Sequence, residues 1–477
     1  EFLNQKPLPY SFKMITQSHH AESFRLVPTT STPVSPEKVA SLLASEWELF
    51  TKNTKGSLAE SARSMKSLPL GVTSSFQHWD PYPISIVSAQ GAWMTDVDGR
   101  QLLDLSMGFG AMLAGHLNPV VVEEVKASLD TGMLFVTPSP ISTDAAERIC
   151  RRFGIDQVRF TNSGTESTMY AVRVARSATG KRDIVKVEGG YHGSYDPFVV
   201  SAKPKLDAAG DADFPTAVVD ENLVAGNVHV VPYNNAESLE QIFAKHASTI
   251  ACFIVEPVLE NIGIVLPDAG YLERVRELCD QYGIVLIFDE VKTGLTAGPQ
   301  GAAQRLGVQP DLITLAKSIG GGVPVAAFGG KKKFMDAVTD GRMAHFGTFN
   351  GNPLAMAGIR AIDKICTVET LGVAEGFNMQ ALNRISEIIA EYELPAHTVG
   401  FGVKGCITWS TEPVRNYRDY KATDFKIAEL SWLWSINRGI MTPPGLDEQW
   451  LISLAHGQKE IDILVEDFRS LAAAIRN

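Results

Sequence analysis

No two of the five cysteines in this 477-residue chain form a C-x-x-C pair. Cys150, Cys252, Cys279, Cys366 and Cys406 are scattered and odd in number, which argues against a disulfide or zinc framework and suits buried, reduced thiols in a cytoplasmic protein. Long apolar runs are missing too: the most apolar stretch, Ile250 to Pro267, is interrupted by Glu256 and Glu260, and the N-terminus shows no basic region leading into an apolar core. Neither a membrane span nor secretion is expected. Positive charge is in deficit, with 43 Lys and Arg against 54 Asp and Glu, and the net charge of -11 argues against nucleic acid as a partner. The pattern G-x-x-x-x-G-K-[ST] is absent, which excludes a P-loop, and no G-x-G-x-x-G follows an early strand, which counts against an NAD-dependent oxidoreductase. No His/Cys cluster with metal-ligand spacing lies near the candidate site residues, and no metal is expected.

What is present is a large acidic globular chain, longer than one hydrophobic core usually supports. Residues 1–35 mix Gln, His, Ser, Thr and Pro without periodicity and read as a poorly ordered or loosely packed arm. Because the chain begins at Glu1, it is expected to be a processed product or part of something longer. Helical spacing begins near Pro36, and short strands follow at Ile84 to Val87, Ala92 to Thr95 and Leu102 to Leu105, so residues 36–105 are assigned to a small domain. From Val158 onward, short apolar strands alternate with helices, the signature of an α/β fold with a mostly parallel sheet. This large domain is placed at 106–365, and residues 366–477 return to complete the small one.

In open α/β sheets, ligands bind beyond the carboxyl ends of the strands. Four segments put polar residues there: 160–166 (FTNSGTE), 188–193 (EGGYHG), 287–290 (IFDE) and 315–318 (LAKS). Ser163, Gly164 and Thr165 follow a strand and open a helix, which suits either a phosphate or a plain helix cap. Asp289 ends the apolar run IVLIF, where a carboxylate needs a compensating partner. A pyridinium N–H would serve, and so would a helix N-terminus. Lys317 follows a buried strand and precedes Gly320-Gly321-Gly322, a turn that lets backbone approach a ligand. Semi-apolar surroundings would lower its pKa toward imine-forming chemistry, unless it is a surface lysine at a strand end. Tyr191 and His192 sit in a Gly-rich loop, where an aromatic face could stack on a planar ring or simply pack.

Taken in order, NSGTE at 162–166, GGYHG at 189–193, VEP at 255–257, FDEV at 288–291, AKSIGGG at 316–322 and GTFNGNPLAMAG at 347–358 resemble the class III aminotransferases. The nearest branch is the one that holds glutamate-1-semialdehyde aminomutase. The resemblance spans about Leu68 to Phe468 and implies fold type I, with pyridoxal 5′-phosphate (PLP) as cofactor. It implies that Lys317 is the Schiff-base lysine and that Asp289 partners the pyridine nitrogen. Gly164 and Thr165 would bind the phosphate with Ser163 close by, and Tyr191 would stack on the ring beside His192. Asn261 would lie near the phenolic oxygen and Glu256 would be a buried acid in the same region. Thr348 would reach the phosphate bound to a neighbouring subunit, which makes the partner a second copy of the chain in a homodimer.

The resemblance implies transfer of an amino group from an amine or amino-acid donor to a carbonyl acceptor. Aminomutases, β- or ω-amino-acid aminotransferases, racemases and decarboxylases share the same cofactor residues. Where relatives acting on acids carry an arginine for the substrate carboxylate, this sequence offers Ser75 or Gln77, and at a second such position Pro444. Met107 and Phe109 are expected to wall an apolar pocket instead, and Arg415 is the substitute clamp if one exists. The expected acceptor is therefore an aldehyde or ketone lacking a nearby carboxylate, and the expected setting is biosynthesis of an amine.

Overall fold

The computed structural model describes residues 12–14, 24–443 and 449–477. Its centre is a seven-stranded sheet in the order Gln157–Thr161, Ala326–Gly330, Leu312–Leu315, Val285–Asp289, Ile250–Val255, Asp183–Val187, Val228–Val231. Only Ala326–Gly330 runs against its neighbours; the other six strands share one direction. The central strands IACFIV and VLIFD are buried at every position, as helices on both faces require. Because of the shared direction, Thr161, Val187, Val255, Asp289 and Leu315 all end at one edge of the sheet.

The helices between the strands begin and end where local chemistry says they should. Gly164–Thr179 starts at Ser163, whose Oγ accepts from the Glu166 N–H at 3.2 Å, and stops at Gly180 in the left-handed region. Pro353–Ile365 starts at Asn352, whose Oδ1 accepts from the Ala355 N–H at 3.0 Å, with proline in the first turn.

Both ends of the chain meet in a second sheet, antiparallel, in the order Phe12–Met14, Phe24–Pro28, His397–Phe401, Lys404–Thr408, Gln449–Leu451. Helices Val368–Glu391 and Gln458–Arg476 belong to this α/β unit. Residues 24–28 fall in the stretch expected to be a loose arm, and the structure corrects that expectation. Leu26 and Val27 are buried, and the Arg25 guanidinium donates to the Val414 carbonyl oxygen at 2.9 Å, with burial pulling its pKa down to about 10. Short strands of this kind carry no periodic signal, and the partner that orders this one lies near residue 399. The rest of the arm, 1–11 and 15–23, and Pro444 lie outside the described residues.

A third sheet joins Ile86–Gln90, Trp93–Asp96 and Gln101–Asp104 to Ile440–Met441. Its Gln101–Asp104 strand leads into the turn at Ser106 to Gly110. Four of the five cysteines, Cys252, Cys279, Cys366 and Cys406, are buried, and among the described residues no helix is long and apolar enough to cross a membrane.

Candidate active site

A cavity of about 710 Å³ opens at the strand edge where the carboxyl ends meet. It gathers Ser163, Gly164, Thr165, Tyr191, His192, Glu256, Asn261, Asp289 and Lys317 from five separate loops.

At one end lies the start of helix Gly164–Thr179, whose first N–H groups lack intrahelical acceptors and carry the positive end of the helix dipole. The Ser194 N–H donates to Thr165 Oγ1 at 3.2 Å, drawing the 189–194 loop over the helix end. Gly193 makes this approach possible: a Cβ there would lie 2.4 Å from Thr165 Oγ1, and its φ of +101° suits glycine. The result is a tight, donor-rich cradle of the size and polarity of a phosphate group.

Asp289 sits on the floor, 3% exposed. Its Oδ1 accepts from Thr314 Oγ1 at 2.9 Å and from the Val291 N–H at 3.1 Å, and its Oδ2 faces His192 Nδ1 at 2.8 Å. An ionised carboxylate has about four lone-pair sites, so one remains on Oδ2 for a donor in the cavity. A protonated ring nitrogen fits that vacancy in the donor set. His192, Thr314 and the Val291 N–H together orient Asp289. Glu256 accepts from the Tyr191 N–H at 3.1 Å through Oε1 and from Asn261 Nδ2 at 2.8 Å through Oε2. Burial pushes its pKa upward, an effect only partly offset by the nearby His192.

Lys317 projects from a left-handed backbone (φ +48°), a strained conformation worth roughly 1–3 kcal/mol that tends to cluster at functional sites. Burial lowers its pKa to about 8, assisted by the positive charges of Lys292 and Lys404 and opposed by Asp289 and Glu256. Lys404 is itself buried, paired to Glu260 at 2.5 Å, and its Nζ also donates to the Lys292 carbonyl oxygen at 3.0 Å. The three glycines after Lys317 serve packing more than ligand approach: a Cβ on Gly320 would lie 2.4 Å from the Val323 oxygen, and only Gly322 of the three reaches the cavity.

The expected substrate wall needs correcting. Phe109 lines the cavity, but Met107 is fully buried in the core beneath it. The Ser106 and Met107 N–H groups donate to Asp104 Oδ1 at 2.9 and 2.8 Å, which turns Met107 inward as Phe109 turns out. Gln77 is exposed and folds back on Thr73, its Oε1 accepting from Thr73 Oγ1 at 2.7 Å. Its neighbour Phe76 takes the place at the wall, packing against Phe109 at 5.9 Å and edge-on to Tyr191 at 5.7 Å. Arg415 is committed to Asp268 and lies outside the cavity lining, so it offers no clamp there. Thr348 is exposed, between Phe346 and Phe349 at 82% and 59% exposure, and does not line its own chain's cavity. Phe76, Lys292 and Lys404 were not singled out from the sequence. A lysine directly after FDEV was the one available signal; Lys404 is brought in by a distant strand.

The sequence profile of the family described as "Aminotransferase class-III" matches residues 75–412. The glutamate-1-semialdehyde 2,1-aminomutase of Thermomicrobium roseum is 38% identical over 426 residues, covering 88% of this chain and 98% of its own. Among solved structures, an omega-transaminase from Sphaerobacter thermophilus superposes with a TM-score of 0.84 at 32% identity, covering 88% of this chain and 98% of its own. A beta-phenylalanine aminotransferase from Variovorax paradoxus does so with a TM-score of 0.82 at 29% identity, covering 91% and 97%.

Proposed function

Because the chain belongs to the class III aminotransferases, fold-type-I enzymes whose cofactor is pyridoxal 5′-phosphate, we propose that it is a transaminase: it moves an amino group from an amine or amino-acid donor to an aldehyde or ketone that lacks a carboxylate near its reacting carbon. The observation that carries the acceptor's chemistry is the wall of Phe76, Phe109 and Tyr191 in a cavity to which, among the described residues, no arginine contributes. A wall of this kind rewards apolar surface and gives a carboxylate no bidentate partner.

The residues present fit the cofactor. The helix start at Gly164 and Thr165 would hold its phosphate, Asp289 its ring nitrogen, Asn261 its phenolic oxygen, Tyr191 one face of its ring, and Lys317 its aldehyde carbon. Bound there, the cofactor supplies an aldehyde for condensation with amines and a ring that draws electrons from the reacting carbon. Lys317 Nζ would take up and return the proton at the substrate's reacting carbon, a task for which a pKa near 8 suits it. His192 helps keep Asp289 oriented, and the carboxylate's negative charge would hold the ring nitrogen protonated.

The test compares kcat/KM for an aliphatic aldehyde with that for its ω-carboxylated counterpart as acceptor. A preference for the aldehyde of about tenfold or more is expected, since an ω-carboxylate laid along the aromatic wall, out of reach of the Lys292 ammonium, would be desolvated without a charged partner and forgo about 1.5–3 kcal/mol. A clear preference for the acid would overturn the reading. A second reading, isomerisation of one amino-aldehyde, is favoured by the likeness to an aminomutase. Product analysis with a single substrate separates the two.

The assembly is proposed to be a homodimer. Thr348, with Phe346 and Phe349, lies on an exposed apolar segment, and Val136 is also left exposed. Such surface suits burial against a second copy. Thr348→Ala is expected to weaken cofactor retention several-fold and to leave the dimer intact, as read by equilibrium dialysis and light scattering. A monomer active at high dilution would contradict the shared site.

A further inference from the structure

Lys292 lies three residues beyond Asp289, on the turn leaving the central strand. Half-buried, it lines both the main cavity and a small pocket behind it bounded by Phe109, Lys404, Gln449 and Trp450. Its Nζ donates to the Glu260 backbone oxygen, which leaves further ammonium hydrogens to place. Among the described residues no carboxylate makes an ion pair with it. Glu260, whose backbone it touches, gives its own carboxylate to Lys404. An ammonium lining such a cavity, with no carboxylate paired to it among the described residues, suits an anionic guest.

The cofactor's polar groups would have other partners, the phosphate at the helix start, the ring nitrogen at Asp289 and the phenolic oxygen at Asn261. The charge on Lys292 is left for whatever binds next to Lys317. We infer that Lys292 binds the substrate carboxylate and that the amino donor is an α-amino acid, an assignment of donor class that rests on the transamination reading. That Lys292 and Lys317 line the same cavity supports the α position. A compact ammonium differs from a guanidinium fork in imposing little orientation on the carboxylate. The same cavity can then hold the donor's carboxylate on Lys292 and later the acceptor's apolar chain on Phe76 and Phe109.

The experiment uses holoenzyme and the non-reacting pair 3-phenylpropionate and 3-phenylpropan-1-ol, titrated calorimetrically. Wild type is expected to bind the acid about tenfold or more tightly than the alcohol. Lys292→Met should bring the two within about threefold by weakening the acid alone, and Lys292→Arg should restore the preference. Should Lys292→Met fold poorly, Lys292→Gln serves in its place, with unchanged affinity for the alcohol as the check on integrity. Acid affinity undiminished in Lys292→Met, or no acid preference in wild type, overturns the assignment. The half-reaction is then followed with L-alanine and with ethylamine. Loss of acid preference in the variant without amino transfer from either amine would leave the Lys292 assignment standing and bring down the transamination reading.

Discussion

Lys317→Ala is expected to lose all measurable turnover, a fall of more than about 10⁴-fold, while the fold survives. The side chain ends in the cavity and supports no other element, and alanine tolerates the left-handed backbone no worse than lysine does. Borohydride treatment of the wild type should fix the cofactor to one peptide, the one containing Lys317; label at any other lysine would refute the assignment. The same amine should govern the pH dependence of cofactor capture by apoprotein. Burial and the charges of Lys292 and Lys404 hold its pKa near 8, and only the neutral amine attacks the aldehyde. Capture measured by stopped-flow absorption should therefore rise about tenfold per pH unit below 8 and flatten above it. A flat profile from pH 6.5 to 9 would mean that no amine with a pKa near 8 governs capture, and would overturn the assignment.

Asp289→Asn is the second large effect. The amide keeps the shape, and its oxygen can still accept from Thr314 and Val291. Its NH₂ would face His192 Nδ1, which can accept by moving its proton to Nε2, a buried atom with no hydrogen-bond partner in the protein. The substitution therefore removes a charge while leaving the scaffold close to intact. Turnover is expected to drop by about 10²–10³-fold, the size of loss seen when one preorganised electrostatic contact is removed, with melting temperature shifted by a few degrees at most. Near-normal turnover would show that another acid faces the ring nitrogen.

The large sheet was legible because its strands are short unbroken apolar runs separated by long helical stretches, and Leu312–Leu315 and Tyr271–Tyr282 fall where periodicity puts them. The site was legible for a related reason. Its polar residues stand directly after those runs, so locating the strands locates Asp289, Lys317 and the helix start at Gly164. What escaped was long-range. Ala326–Gly330 reads like its neighbours yet runs the opposite way, since direction is set by the connection and not by composition. The inward turn of Met107 depends on Asp104, and the fold-back of Gln77 on Thr73, neither of which alternation of apolar and polar residues can report. Lys404 pairs with Glu260 across 144 positions of sequence, so its approach to Lys317 needed the sheet built from both chain ends.

That sheet also bears on how the protein is made. Thr398 registers with Leu26, and Gln449, in the last strand to join, donates to the Glu260 carbonyl oxygen beside the candidate active-site cavity. A ribosome delivers the parallel sheet with Asp289 and Lys317 first and the strands that flank Lys292 and Lys404 last. The nascent chain can thus present the strand edge that carries Asp289 and Lys317 well before the opposite side of the cavity is closed, with the Phe24–Pro28 strand able to pair with Phe12–Met14 early and with His397–Phe401 once those residues emerge. Closure of so distant a pair is slow relative to local helix formation. The ligand-binding floor would then mature ahead of the roof during synthesis, and truncation near residue 396 should leave a chain able to bury its central strands yet unable to complete the cleft.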